Sequence, residues 1–180
     1  MPLTAEDESL RYPVGHYRPQ SQITAHDRAQ WLAELEALPA QLRQAVDGLS
    51  KEQLNTPYRP GGWTVRQVVH HLPDSHMNSY MRFRFALTED APPIKPYDEA
   101  TWAELTDAKS APIDLSLGLL ENLHARWAIL LRSLSDAQFA RTFRHPQMGD
   151  VRLDAALGLY AWHGRHHLGH ITSLRQRKGW

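Results

Sequence analysis

The sequence predicts an all-α fold, a four-helix bundle, on three observations. Four stretches carry apolar residues at helical spacing, few stretches alternate as strands do, and connections rich in proline and glycine separate them. With 180 residues and 42% hydrophobic content, one domain with a real core is expected.

The first 23 residues, including "YPVGHYRPQ", read as an irregular N-terminal arm. Thr24 then suits the N-cap of a first helix through "AHDRAQWLAELEALPAQLRQAVDGL". Trp31, Leu35, Leu38, Leu42 and Val46 form its apolar stripe, and Pro39 is expected to kink or interrupt it. The loop "TPYRPGG" leads into a second helix, from about Trp63 or Thr64 to about Thr88. A proline-punctuated linker follows, with a short helix expected near Asp98 to Leu105. Asp114 is placed to cap a third helix reaching about Ser133. "RTFRHPQMGDVRL" reads as a loop or hairpin, and Asp154 or its neighbours open a fourth helix that runs nearly to Trp180. The long second connection predicts that not every neighbour is a simple antiparallel hairpin.

Two segments echo one another. "LSKEQLNTPYR", from Leu49, and "LSDAQFARTFR", from Leu134, each follow one predicted helix and precede a histidine-bearing one. A shared helix-connection motif accounts for the match, and so does duplication of a helix pair. Duplication predicts that the second and fourth helices are equivalent and face each other with their histidines.

Composition excludes several functions. Twenty basic and twenty acidic side chains balance, without a long run of either sign, so no footprint for nucleic acid or an anionic membrane is expected. There is no cysteine, which removes disulfides, thiolate-ligated zinc and a thiol nucleophile. No secretory signal and no membrane-length apolar run is read, so a cytoplasmic location is expected.

The histidines carry the functional signal. "WHGRHHLGHI", residues 162 to 171, holds His163, His166, His167 and His170. At about 100° per residue, His167 falls inside the apolar sector of the fourth helix and His163 on its edge, while His166 and His170 drift to the flank. Imidazoles four apart on a helix stand roughly 5–6 Å apart at Cβ, close enough to share one ion at ~2.0–2.1 Å. A polar seam of hydrogen-bonded histidines is the alternative. In the second helix, "VRQVVHHLPDSHMNSY", His71 lies on the edge of the apolar face and His76 is the other candidate ligand. His70 lies opposite and is expected to be solvated. Pro73 makes angles computed across it unreliable.

These residues resemble the DinB-like superfamily, in particular its metal-dependent hydrolase and bacillithiol transferase group. The matching stretches are "YPVGHYRP", "TPYRPGGWTVRQVVHHLPDSHMNSY", "KPYDEATWAEL" and "ALGLYAWHGRHHLGHI", which together span essentially the whole chain. The resemblance implies a four-helix bundle whose divalent metal is held by His71, His163 and His167, and it implies a homodimer. His170 stands where many relatives carry Gln, and Pro73 where they commonly carry Ala.

Three imidazoles leave a position open on the ion, the pattern of a catalytic site. One divalent ion per chain is expected, zinc first and nickel second, since imidazole suits both. Bound there, it could activate water for hydrolysis of a small-molecule substrate, or an external low-molecular-weight thiol such as bacillithiol for S-transfer. A non-catalytic metal-binding stress protein is the reading from another class. No helical Glu follows His163, so the general base is open, with Asp74 and His170 as weak candidates. Trp63 and the Gly61-Gly62 pair are expected to fix the start of the second helix rather than meet substrate. Trp102, Trp127 and Trp162 read as core or interface aromatics, and His16, His26, His124 and His145 receive no role.

Overall fold

The computed structural model describes residues 5–180, so residues 1–4 of the expected arm lie outside the described part. Nine helices and one hairpin are found there: α1 Ala5–Arg11, α2 Ala25–Val46, α3 Lys51–Leu54, α4 Val65–Thr88, α5 Glu99–Trp102, α6 Thr106–Ser110, α7 Ile113–Arg132, α8 Asp136–Phe139, β1 Thr142–His145, β2 Gly149–Arg152 and α9 Leu153–Lys178. The four long helices α2, α4, α7 and α9 are the expected ones. β1 and β2 pair antiparallel, from Thr142 opposite Arg152 to His145 opposite Gly149.

The arm is not wholly irregular, because α1 occupies residues 5–11. Thr24 caps α2 as expected, in a reciprocal box with Asp27. Asp114 and Asp154 do not cap. α7 starts behind Pro112 and α9 behind Arg152, and both aspartates sit in the first turn, where a carboxylate favours the helix dipole. Pro39 does not interrupt α2, which runs unbroken through it. A proline has no N–H, so the Leu35 carbonyl four residues earlier lacks its usual helical donor. His124 Nδ1 stands 2.6 Å from that oxygen instead.

α2 packs on α7 and α9, and α4 packs on the same two helices, so α2 and α4 stand on one diagonal of the bundle and α7 and α9 on the other. The long linker, residues 89–112, therefore joins neighbours. The two diagonal crossings are made by residues 47–64 and 133–152, the segments that echo each other. Their local structure repeats as well. Ser50 and Ser135 each cap a four-residue helix in a reciprocal box with Gln53 and Gln138. The first N–H of the following long helix then bonds back to the same connection: Val65 to Thr56 O at 3.1 Å, and Leu153 to Arg141 O at 2.9 Å. This equivalence brings α4 and α9 side by side with their histidines facing.

The core has two apolar clusters. One gathers Phe83, Trp127, Leu131, Leu157 and Leu35, and the other Val68, Leu72, Leu120, Leu42 and Ile171. Along each long helix the chain passes from one cluster to the other. Near the crossing points lie His71 and His76 on α4, His124 on α7, and His163 and His167 on α9. A histidine layer divides the core at mid-height.

Candidate metal centre

Local sequence fixes where α4 begins and hence where His71 points. Thr64 Oγ1 accepts the Gln67 N–H at 3.2 Å, and Gln67 Oε1 accepts the Thr64 N–H at 2.9 Å. Just before the cap, a Cβ on Gly62 would come within 2.8 Å of Arg59 Cγ and 3.0 Å of the Tyr58 ring. Without that side chain, the loop brings two aromatic rings onto the histidines. Trp63 lies 4.7 Å from the His71 ring, and Tyr58 stacks on His170 at 3.9 Å. Trp63, Gly61 and Gly62 thus line the cavity beside the histidines, beyond the helix-starting role expected of them.

His71, His163 and His167 converge, each offering a ring nitrogen within 4.8 Å of the other two. Nε2 of His71 stands 3.2 Å from Nε2 of His163. Two nitrogens each ~2.0–2.1 Å from one ion stand no more than about 4.2 Å apart, so this pair already fits a shared cation. Burial holds all three rings neutral, with lone pairs available at pH 7. His71 is lowered to about 4, first by burial and then by His170. His163 and His167 lie well below the ordinary histidine range, again through burial first and neighbouring imidazoles second. Neutral imidazoles facing one point, in a chain without thiols, are a donor set suited to zinc or nickel.

All three line a cavity of about 1020 Å³, whose walls include Ser75, Tyr97, Tyr160 and Trp162. Burial raises the Tyr97 hydroxyl, leaving it a donor at neutral pH. Residues of the N-terminal arm close one side. A Cβ on Gly169 would stand 3.0 Å from Pro13 Cγ, so glycine lets the arm lie directly on α9.

The arm covers the flank that carries His166 and His170, and the two are buried, 8% and 2% exposed. His170 Nε2 lies 3.0 Å from the Arg11 carbonyl. An oxygen that can only accept makes that nitrogen the donor, so Nδ1 carries the lone pair. The Nδ1 atoms of His166, His167 and His170 are buried without a hydrogen-bond partner. These three residues form a second convergent set, which shares His167 with the first.

The other sequence candidates fall elsewhere. His76 is fully buried behind His163, with its Nε2 3.1 Å from His163 Nδ1. Asp74 lines a separate cavity of about 190 Å³ with His70, Asp107 and Ser116; burial, aided by Asp107, raises its carboxyl to about 6. His70 is not solvated. It is 6% exposed, with Nδ1 2.7 Å from Ser116 Oγ and Nε2 3.2 Å from the Ala111 carbonyl. The 89–112 linker folds back over the α4 face that a bare four-helix bundle would leave in water. His124, given no role by sequence, is 1% exposed, and its Nε2 lies 2.9 Å from His76 Nδ1. Its spacing was legible: Leu117, Leu120, His124, Trp127 and Leu131 share one stripe of α7.

The chain is similar to known proteins along nearly its whole length. The chain is 54% identical over 173 residues to YfiT of Bacillus subtilis (strain 168), covering 96% of this chain and 97% of that one; YfiT is provisionally named a metal-dependent hydrolase. A Bacillus mycoides (strain KBAB4) protein with the same provisional name is 56% identical, over 96% of this chain and 99% of its own. The solved YfiT structure, described as an unusual four-helix bundle topology, superposes with a TM-score of 0.93 over 96% of this chain and 99% of that one. The four-helix bundle protein TT2238 shares the fold at a TM-score of 0.54 and 23% identity, over 78% of this chain and 94% of its own. The DinB superfamily model matches residues 34–171. This chain is a member of the DinB superfamily.

Proposed function

We propose that the protein is a metal-dependent hydrolase acting on a small molecule, with its divalent ion held by His71, His163 and His167. The observation that carries this is the convergence of three neutral imidazoles on the wall of a large cavity. An ion bound there, with a coordination position left open, would bring a bound water's pKa towards ~7 and polarise a carbonyl.

The chain's own groups supply the rest. Trp63 packs against two of the three ligands and shields them from bulk water, with ring centroids 4.7 Å from His71 and 6.2 Å from His167. The Tyr97 hydroxyl remains protonated and can donate to a developing oxyanion in the cavity. His170, with its Nε2 proton committed to the Arg11 carbonyl, keeps a bare Nδ1. That atom is buried, and burial lowers the ring to about 4, so it is a weak base at neutral pH and no general base is assigned. Asp74, which faces another cavity, has no part in this scheme. Zinc as the resident ion, nickel as its substitute, a homodimer and a cytoplasmic location belong to the same reading. Among the described residues no helix is long and apolar enough to cross a membrane.

The test is a panel of small esters and amides, run beside conjugation of a low-molecular-weight thiol to an electrophile. Metal-dependent cleavage that disappears in His163→Ala supports hydrolysis. Thiol conjugation with no cleavage would replace it with S-transfer. Silence in both arms from protein holding a full complement of metal would leave a non-catalytic metal-binding protein.

A further inference from the structure

We propose that His124 and His76 are positioning residues: they relay the hydrogen-bond polarity of the Leu35 carbonyl to His163 and thereby fix which nitrogen His163 presents to the metal. The inference rests on His163 being a metal ligand.

Each link is forced by the one before. The Leu35 carbonyl lacks its helical donor because position 39 is proline. His124 Nδ1 lies 2.6 Å from it, and a carbonyl only accepts, so that nitrogen carries the proton. His124 is buried and neutral, lowered by burial to about 4, so its Nε2 is bare. That bare nitrogen is 2.9 Å from His76 Nδ1, which must therefore be the donor. His76 is fully buried among the rings of His124, Trp127, Tyr160 and His163, with no carboxylate of the described residues beside it to hold a second proton, so its Nε2 is the acceptor. His163 Nδ1, 3.1 Å away, donates to it. The lone pair of His163 is then left on Nε2, the atom that faces His71 Nε2 at 3.2 Å.

A chain of neutral imidazoles alone could run in either direction. Reversed, it would put a proton on His163 Nε2, where a cation could not bind, and would aim a lone pair of His124 at the lone pairs of the Leu35 oxygen. The backbone carbonyl removes that alternative. The energetic logic is that of outer partners to metal-bound histidines, whose loss typically weakens metal binding about 10–100-fold. What is specific here is the length of the relay and its origin in a helix proline that sequence reading marked only as a kink.

Long-range proton–nitrogen NMR of metal-free, histidine-labelled protein reads the tautomers directly. The expected result is a proton on Nδ1 of His124, His76 and His163. His124→Phe keeps a ring beside His76, where the two ring centres now stand 4.9 Å apart, but removes the acceptor. It should release the His76 and His163 tautomers into a mixture and weaken zinc binding about 10–100-fold. His124→Gln, whose Oε1 can still accept from His76, should restore most of both. Nε2 protons on His76 or His163 in the unmodified protein would overturn the proposal, and so would wild-type tautomers and zinc affinity in His124→Phe. Unmodified protein with the expected tautomers but no affinity for zinc would overturn the metal reading and leave the relay standing.

Discussion

Metal-free protein taken from pH 7 to pH 5 should lose at least about 5 kcal/mol of folding stability. Burial lowers His71, His124 and His170 to about 4, whereas histidines of an unfolded chain titrate near ~6.5. Between those values the unfolded state binds protons that the folded state refuses. The histidines' share of stability is therefore present above ~6.5 and is lost as pH falls towards the folded values. At pH 5 each of the three costs about 2 kcal/mol relative to pH 7. Asp74 runs the other way: its carboxyl is raised to about 6, so acid favours its folded form, though its partial exposure keeps the offset to roughly 1 kcal/mol. The net loss of about 5 kcal/mol is a floor, because His166, lowered to about 3, and His76, His163 and His167, held well below the ordinary histidine range, act in the same direction. It is already comparable to the whole stability of many domains, ~5–15 kcal/mol. Urea unfolding followed by tryptophan fluorescence at pH 7, 6 and 5, with chelator present throughout, measures it. A free energy that changes by less than about 1 kcal/mol across this range would refute the picture of buried, neutral histidines.

Further outcomes follow from the packing around the site. Thr64→Ala removes both side-chain bonds at the Thr64 oxygen and should cost about 1 kcal/mol in urea unfolding, without changing the metal bound per chain. Gly158→Ala would place a Cβ 2.9 Å from the rigid Trp31 indole. Overpacking of about 1–3 kcal/mol should then outweigh the roughly 1 kcal/mol gained in helix propensity, and the urea midpoint should fall; a rise would show that Trp31 yields.

The four long helices were legible because their apolar stripes are regular, and the inward placing of His163 and His167 because i, i+4 spacing and an angular plot survive without tertiary knowledge. The angles left His71 and His76 both open, and the family resemblance singled out His71. The misplaced residues share one cause. His70 was assigned to water and His166 and His170 to the flank of their helix on the assumption of four bare helices, and each is covered by chain outside the four. The 89–112 linker buries His70, while the N-terminal arm lies over His166 and His170. α4 did carry a signal of this, since between Val65 and Met81 its only charged residues are Arg66 and Asp74, too few for a solvated face. Trp63 and the two glycines before it were read as local punctuation. Only the fold shows that the loop they shape is also the cavity wall. His124 was dismissed one residue at a time, although its own helix places it on the apolar stripe. Pro39 was seen as damage to a helix, whereas the carbonyl it frees has a partner on α7 that no local pattern could reveal. The echo at Leu49 and Leu134 was the more informative long-range signal, because it marked both diagonal crossings.

The metal content of untagged protein never exposed to a nickel column, measured by mass spectrometry before and after zinc is offered, tests the central claim most directly. Close to one tightly held ion per chain is expected, and loss of that ion in His71→Ala and His163→Ala. A folded protein that carries no metal and refuses both zinc and nickel would contradict it, leaving a bundle whose histidine layer is a hydrogen-bonded seam.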